Sequence, residues 1–194
     1  MAGDDKRKSI IDAGISVFSR LGFHGAKMED IAQEARVAKG TVYLYFPSKE
    51  VLLEEIYRHA LGTYFEGLVE RSAKDSAPAE KLYDMALFTL TFAGENRESA
   101  RFILEAATGM REEFKVWLFT LRARWIDLTC LIIQEAMKRG EARPDLDALA
   151  AAHMYVGALN SLVSSRLWGN RTVSAAADAA TLCALFWRGV GVAG

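Results

Sequence analysis

The sequence predicts an all-helical protein, and three features carry that expectation. There are only three prolines in 194 residues, strand-like alternation is scarce, and apolar residues recur at three- and four-residue steps. Hydrophobic residues make up 51%, enough to bury a core and to exclude a disordered chain. The length allows one large domain, or a small domain fused to a medium one.

The elements follow in order. Lys6 to Leu21 puts Ile10, Ile11, Gly14, Ile15, Phe18 and Leu21 on one face, and Gly22 ends that helix. After Phe23-His24-Gly25, a short helix from Met28 to Ala35 turns Met28, Ile31, Ala32 and Ala35 inward. Arg36-Val37-Ala38 is a tight turn, and Lys39 to Phe46 is a third short helix interrupted by Pro47. Ser48 caps a long helix that carries Val51, Leu52, Ile56, Leu61, Tyr64, Phe65 and Leu68 to about Ser72. Pro78 suits the first turn of the next helix, which ends near Gly94. Helices are then expected from Arg97 to Thr108, from Glu112 to Arg139, from Pro144-Asp145 to Trp168, and from Thr172 or Ser174 to Trp187.

The last two of these helices are apolar nearly all round. Met154, Tyr155, Leu159, Leu162 and Val163 spread over more than one stripe, as do Leu182, Cys183, Leu185, Phe186 and Trp187. Such helices need cover on both sides, and a second copy of the chain would supply it as a four-helix interface.

Charge excludes an indiscriminate polycation, since the formal net charge is -1. It is unevenly placed: Met1 to Lys49 carries a net +2, leaving -3 for the remainder. Cys130 and Cys183 are widely spaced within apolar stretches, which reads as buried thiols and not as a disulfide framework or zinc site. His24, His59 and His153 lack ligand spacing, so no metal is expected. No signal segment opens the chain and no apolar run reaches spanning length, which reads as a cytoplasmic protein without a membrane partner. No Ser/His/Asp order or glycine-rich phosphate loop points to an enzyme, and no cofactor is expected.

Three short helices, the second and third joined by a three-residue turn, make a helix-turn-helix. A short helix enters the major groove when its neighbours hold it out from the body. The helix from Lys39 to Phe46 has the side chains for that task. Lys39 can reach a phosphate or a guanine edge, Gly40 permits close approach, and Thr41 can donate to a phosphate. Tyr43 and Leu44 offer apolar contact to thymine methyls, and Tyr45 can donate its hydroxyl to the backbone. Val42 and Phe46, four residues apart, should turn inward. Lys6-Arg7-Lys8 reads equally as a solvated helix start or as an arm on the DNA backbone.

From Ile10 to Leu52 the sequence resembles the N-terminal domain of the TetR family of bacterial regulators. The matching residues are Ala13, Phe18, Gly22, Phe23, Asp30-Ile31-Ala32, Ala35, Val37, Lys39-Gly40-Thr41-Val42-Tyr43, Tyr45-Phe46, Ser48-Lys49-Glu50 and Leu52. The resemblance implies a homodimer on a roughly palindromic operator, acting as a repressor that a ligand in the C-terminal domain releases. It implies a reading helix containing Lys39, Gly40, Thr41, Tyr43, Leu44 and Tyr45, and a phosphate contact from Lys49. One departure stands out. The family often has Thr at the start of the second helix, where this chain has Ala26-Lys27, so Lys27 is expected to make the phosphate contact instead.

The chain thus divides into a DNA-binding domain over residues 1–47 and a ligand-binding and dimerising domain over 48–194. Candidate pocket residues are Phe88, Phe92, Phe102, Phe114, Trp117, Trp125 and Tyr155, with Glu105, Arg122 and Asn160 as polar members. Plain core packing is the competing role for each. So apolar a lining fits an aromatic, acyl-chain or drug-like effector, and the resemblance extends to relatives with a similar Tyr-Leu-Tyr-Phe helix that answer to fatty acyl-CoA. Two other readings are an all-α enzyme and a protein-interaction module that keep the helix-turn-helix only as scaffold.

Overall fold

The computed structural model describes residues 2–97, 100–101, 112–169 and 174–191. They form α1 (Ala2–Gly25), α2 (Met28–Glu34), α3 (Lys39–Tyr45), α4 (Lys49–Ser72), α5 (Pro78–Glu95), α6 (Glu112–Lys138), α7 (Ala148–Trp168) and α8 (Ala175–Val190). Among the described residues there is no strand, only an isolated antiparallel bridge between Ala142 and Gly191. The all-helical expectation holds. Most of the helix expected from Arg97 to Thr108 lies outside the described residues, as does Thr172.

Capping explains where the helices begin. Ser48 Oγ accepts the Val51 N–H at 3.3 Å and Ser174 caps α8 by accepting the Ala177 N–H at 3.1 Å. The start expected at Pro144-Asp145 is corrected: α7 begins at Ala148, because Asp147 accepts the Leu149 and Ala150 N–H groups at 3.0 Å each. A carboxylate that satisfies two orphan donors outweighs a proline's preference for the first turn. The last helix also runs past Trp187 to Val190.

Two helix ends use the same device with different residues. After α6, Gly140 has φ +72°, its N–H bonds to Met137 O, and the Glu141 N–H reaches Ala136 O at 2.9 Å. After α2, Arg36 has φ 56°, its N–H bonds to Gln33 O, and the Val37 N–H reaches Ala32 O at 3.0 Å. Both are Schellman turns, but only the first has the residue that takes a left-handed backbone without strain. Gly22, with φ 70°, breaks α1 near its end as the sequence predicts.

The described chain divides into two compact units, residues 1–62 with 98–115 and residues 63–97 with 116–194. In the first, Ile10, Val17, Phe18, Ile31, Val42, Leu52 and Tyr57 are fully buried. Phe18 and Phe23 pack with ring centroids 5.7 Å apart, and Arg20 and Ser16 both reach Glu34, tying α1 to α2.

In the second unit, Leu82, Met85, Leu90, Ile133, Ala152 and Leu159 form the centre of a large apolar cluster. The charged side chains buried beside it are paired. The buried Lys81 ammonium meets Glu135 at 2.8 Å, and Arg139 bridges Glu135 and Glu141. Lys81 holds the Glu135 carboxyl below its ordinary pKa. Asp178, 1% exposed, meets Arg166 at 2.7 Å. The Tyr155 hydroxyl donates to Leu82 O at 2.5 Å, and burial pushes its pKa well up.

The Arg36 turn yields a stability prediction. Replacing Arg36 with Gly relieves the left-handed penalty and should stabilise the protein by about 0.5–1 kcal/mol, whereas Arg36→Val should destabilise it by about 1 kcal/mol. Urea unfolding of both variants measures the difference, and a Gly variant no more stable than wild type would contradict it.

Candidate nucleic-acid interface

A helix of seven residues has too few internal hydrogen bonds to persist by itself. α3 is held by burial. Val42 is 0% and Phe46 2% exposed, as their four-residue spacing predicts. The same periodicity turns Tyr43 and Leu44 outward, at 42% and 81% exposure. Lys39 and Gly40 are exposed, and a Cβ at Gly40 would meet nothing within 4 Å. Thr41 and Tyr45 are half-buried at the flanks of the same helix.

Charge on this surface is already arranged. Lys39 forms an ion pair with Glu29 of α2 and lies 5.7 Å from the Tyr43 ring centroid. The pair holds the Glu29 carboxyl below its ordinary pKa and the Lys39 ammonium above. Both groups are fully exposed, so the pair is screened and readily exchanged.

Lys27 occupies the N-cap of α2 in extended conformation. Its side chain provides no cap. Instead Asp30 reaches back and accepts the Lys27 backbone N–H at 2.9 Å, the reciprocal half of a capping box, while the Asp30 N–H that a threonine hydroxyl would accept turns to Lys27 O at 3.1 Å. The Lys27 side chain is exposed.

Lys49 has a different setting. Its ammonium donates to Phe23 O at 2.5 Å and Ala26 O at 2.9 Å, and lies 4.5 Å from the Phe23 ring centroid. It therefore fastens the first turn of α4 to the junction of α1 and α2. Two of its three protons are engaged, which leaves one for a phosphate. Lys27, Tyr43 and Lys49 line one shallow concavity of about 440 Å³, together with Ala26, Met28, Glu29, Pro47 and Ser48.

The basic run near the N-terminus lies within α1. Arg7 pairs with Glu55 at 2.7 Å and lies 5.5 Å from the Phe46 ring centroid, so it braces the end of α3. Sequence reasoning missed this role, and also Glu29 and Asp30. The spacing of Asp30 three residues after the cap was the available signal for the last.

Several of the candidate pocket residues make ring contacts. Phe88, Phe92 and Trp125 surround Tyr64, with centroids 5.7, 5.3 and 6.0 Å from its ring. The sequence pattern marks Tyr64 only as one of the apolar positions of α4. Tyr155 packs instead with Phe186 at 5.1 Å, and Phe114 sits in the first unit against Tyr57 at 5.4 Å. Trp117 and Asn160 are half-buried and Arg122 is exposed, while Phe102 and Glu105 lie outside the described residues. No three His, Cys, Asp or Glu residues among those described are grouped to hold a metal. No described helix is long and apolar enough to cross a membrane.

A short helix anchored on one face and exposing groove-sized side chains on the other, behind a short turn from α2, is the arrangement of a helix-turn-helix. Residues 10–56 match the model of the bacterial regulatory proteins, tetR family. The fatty acid metabolism regulator protein of Bacillus subtilis (strain 168) is 28% identical over 163 residues, covering 82% of each chain. A TetR-like transcriptional regulator from Rhodococcus sp. RHA1 superposes with a TM-score of 0.77 at 27% identity, covering 95% of this chain and 94% of that one. The transcriptional regulator FadR from Bacillus subtilis, solved in complex with stearoyl-CoA, has a TM-score of 0.77 at 23% identity, covering 94% of this chain and 98% of that one. The family match thus lies in the N-terminal residues 10–56, and the likeness over the rest of the chain is to these regulators at less than 30% identity.

The Lys49 clamp predicts a stability effect separate from any DNA contact. Lys49→Ala leaves the Phe23 and Ala26 carbonyls without their donor and should destabilise the protein by about 1–2 kcal/mol. Leu44→Ala removes only an exposed side chain and should change stability by less than about 0.5 kcal/mol. Thermal melts without DNA test both; equal melting of Lys49→Ala and wild type would rule the clamp out.

Proposed function

We propose that this regulator is a repressor, released from a roughly palindromic operator when a fatty acyl-CoA binds its second unit. The observation that carries the DNA part is α3, with Val42 and Phe46 buried while Tyr43 and Leu44 are exposed. The effector part draws support from the likeness, over four-fifths of the chain, to a fatty acid metabolism regulator, and from the aromatic lining around Tyr64. The reading head is residues 1–47, and residues 48–194 bind the effector and pair two copies. Lys39, Gly40, Thr41, Tyr43, Leu44 and Tyr45 face the groove, with Lys27 and the third proton of Lys49 on phosphates. The protein acts in the cytoplasm, carries out no catalysis, and needs no cofactor.

Pairing is supported by α7 and α8. Leu149, Met154 and Trp168 of α7 and Leu185 of α8 are exposed, among alanines and serines small enough for close helix approach. A second copy covers them, and two heads then read two half-sites. α4 is one continuous helix from Lys49 to Ser72, so it links the reading head covalently to the effector-binding part. Effector and operator favour different conformations, and each weakens the other's binding by roughly 5–150-fold.

Fluorescence anisotropy on the DNA upstream of its own gene, against a scrambled duplex and across a salt series, tests the reading. Lys27→Ala should weaken both duplexes alike and lower the salt slope by about one. Tyr43→Ala should instead narrow the gap between them. Wild-type binding by both variants would reject the assigned interface, and no effect of fatty acyl-CoA on operator binding would reject the effector. For the pairing, Met154→Glu with Leu185→Glu should shift the sedimentation coefficient from dimer to monomer, and an unchanged dimer would place the interface elsewhere.

A further inference from the structure

The aromatic group around Tyr64 is well braced. Phe88 stacks on Tyr64 with their planes 9° apart, and the Arg71 guanidinium lies 3.8 Å from the Phe88 ring centroid. Gly67 permits that fit, since a Cβ there would collide with the Phe88 ring. Phe92 and Trp125 complete the group, Trp125 edge-on to Tyr64 at 87°.

Two polar hydrogens lie within it, and only one has a partner. Thr89 Oγ1 donates to Met85 O at 2.8 Å, so the Tyr64 hydroxyl, 2.9 Å away, donates to Thr89 Oγ1. The Trp125 indole N–H has no acceptor, although Trp125 is only 7% exposed and its nitrogen is buried. Buried donors without partners are rare in folded proteins, because the lost hydration is not replaced. A bound molecule with an acceptor would replace it.

The surroundings restrict that molecule. The unpaired group is a donor, so the ligand must accept. The walls are aromatic, so its body must be apolar. The indole N–H is neutral and offers one hydrogen bond, so a carboxylate buried against it would lose far more hydration than a neutral acceptor would. A neutral carbonyl on an apolar chain meets all three conditions.

We propose that Trp125 is the polar anchor of the effector site, its indole N–H donating to the thioester carbonyl of a fatty acyl-CoA. The assignment rests on the acyl-CoA reading above and deepens it. Trp125 thereby selects for the acyl carbonyl, and the aromatic rings supply affinity without regard to it.

The test compares dodecanoyl-CoA with S-dodecyl-CoA, which keeps the chain and the headgroup but lacks the carbonyl. Both are titrated into full-length ¹⁵N-labelled protein, whose four tryptophans give four indole resonances, with Trp125→Phe identifying one. The thioester should move the Trp125 indole proton downfield and bind roughly ten-fold more tightly than the thioether, and Trp125→Phe should level the two to within roughly two-fold. Equal wild-type affinities with an unmoved Trp125 resonance would overturn the anchor while leaving the acyl-CoA reading intact. If neither compound binds, the acyl-CoA reading fails and the anchor falls with it. The wild-type comparison stands even if Trp125→Phe folds poorly.

Discussion

α3 is too short to exist without its neighbours, and two side chains keep it in place. Val42 and Phe46 are the anchors, and the outward face of α3 follows from their burial. With those two positions fixed inward, helical geometry fixes Tyr43 and Leu44 outward. The neighbouring parts then defend the anchors. Arg7 covers the Phe46 ring and holds Glu55, while Lys49 fastens α4 to the end of α1. The exposed face of α3 is therefore a by-product of a small core, and damage to that core would disturb this face without touching an exposed residue.

Electrostatics on this surface are balanced more finely than the net charge of -1 conveys. Glu29 sits beside the reading helix, where an uncompensated acid would repel phosphate. Lys39 offsets it, and the exposed pair gives way easily because water and salt already screen it. Lys49 is the opposite case. Its half-buried ammonium is committed to two carbonyls, so it acts on the fold whether or not DNA is present. Two lysines ten residues apart thus differ in kind: one is an exchangeable counter-charge and the other a tie.

Most of the helical architecture was legible in the sequence, because apolar periodicity is a property of each helix alone. So was the inward turn of Val42 and Phe46, and the break at Gly22. Where local signals competed, the reading slipped: Pro144 looked like a helix start, but Asp147 caps two N–H groups three residues later. What lay hidden depends on partners distant along the chain. Lys49 meets Phe23 and Ala26 across more than twenty residues, and Arg7 meets Glu55 across still more. Periodicity marks Tyr64, Phe88 and Trp125 as inward, yet cannot say that they meet, or that one N–H among them goes unpaired.

The Lys81–Glu135 pair bears on how the second unit finds a single arrangement. Its core is built largely of leucine, isoleucine and alanine, residues that fit one another in several alignments. If α5 slid one turn along α6, those side chains would meet others much like them. Lys81 would not, since its ammonium would lose the Glu135 carboxylate that meets it at the edge of the core. A charge among hydrocarbons thus works as a registration mark: it adds little to the depth of the native minimum and removes the shallow minima on either side.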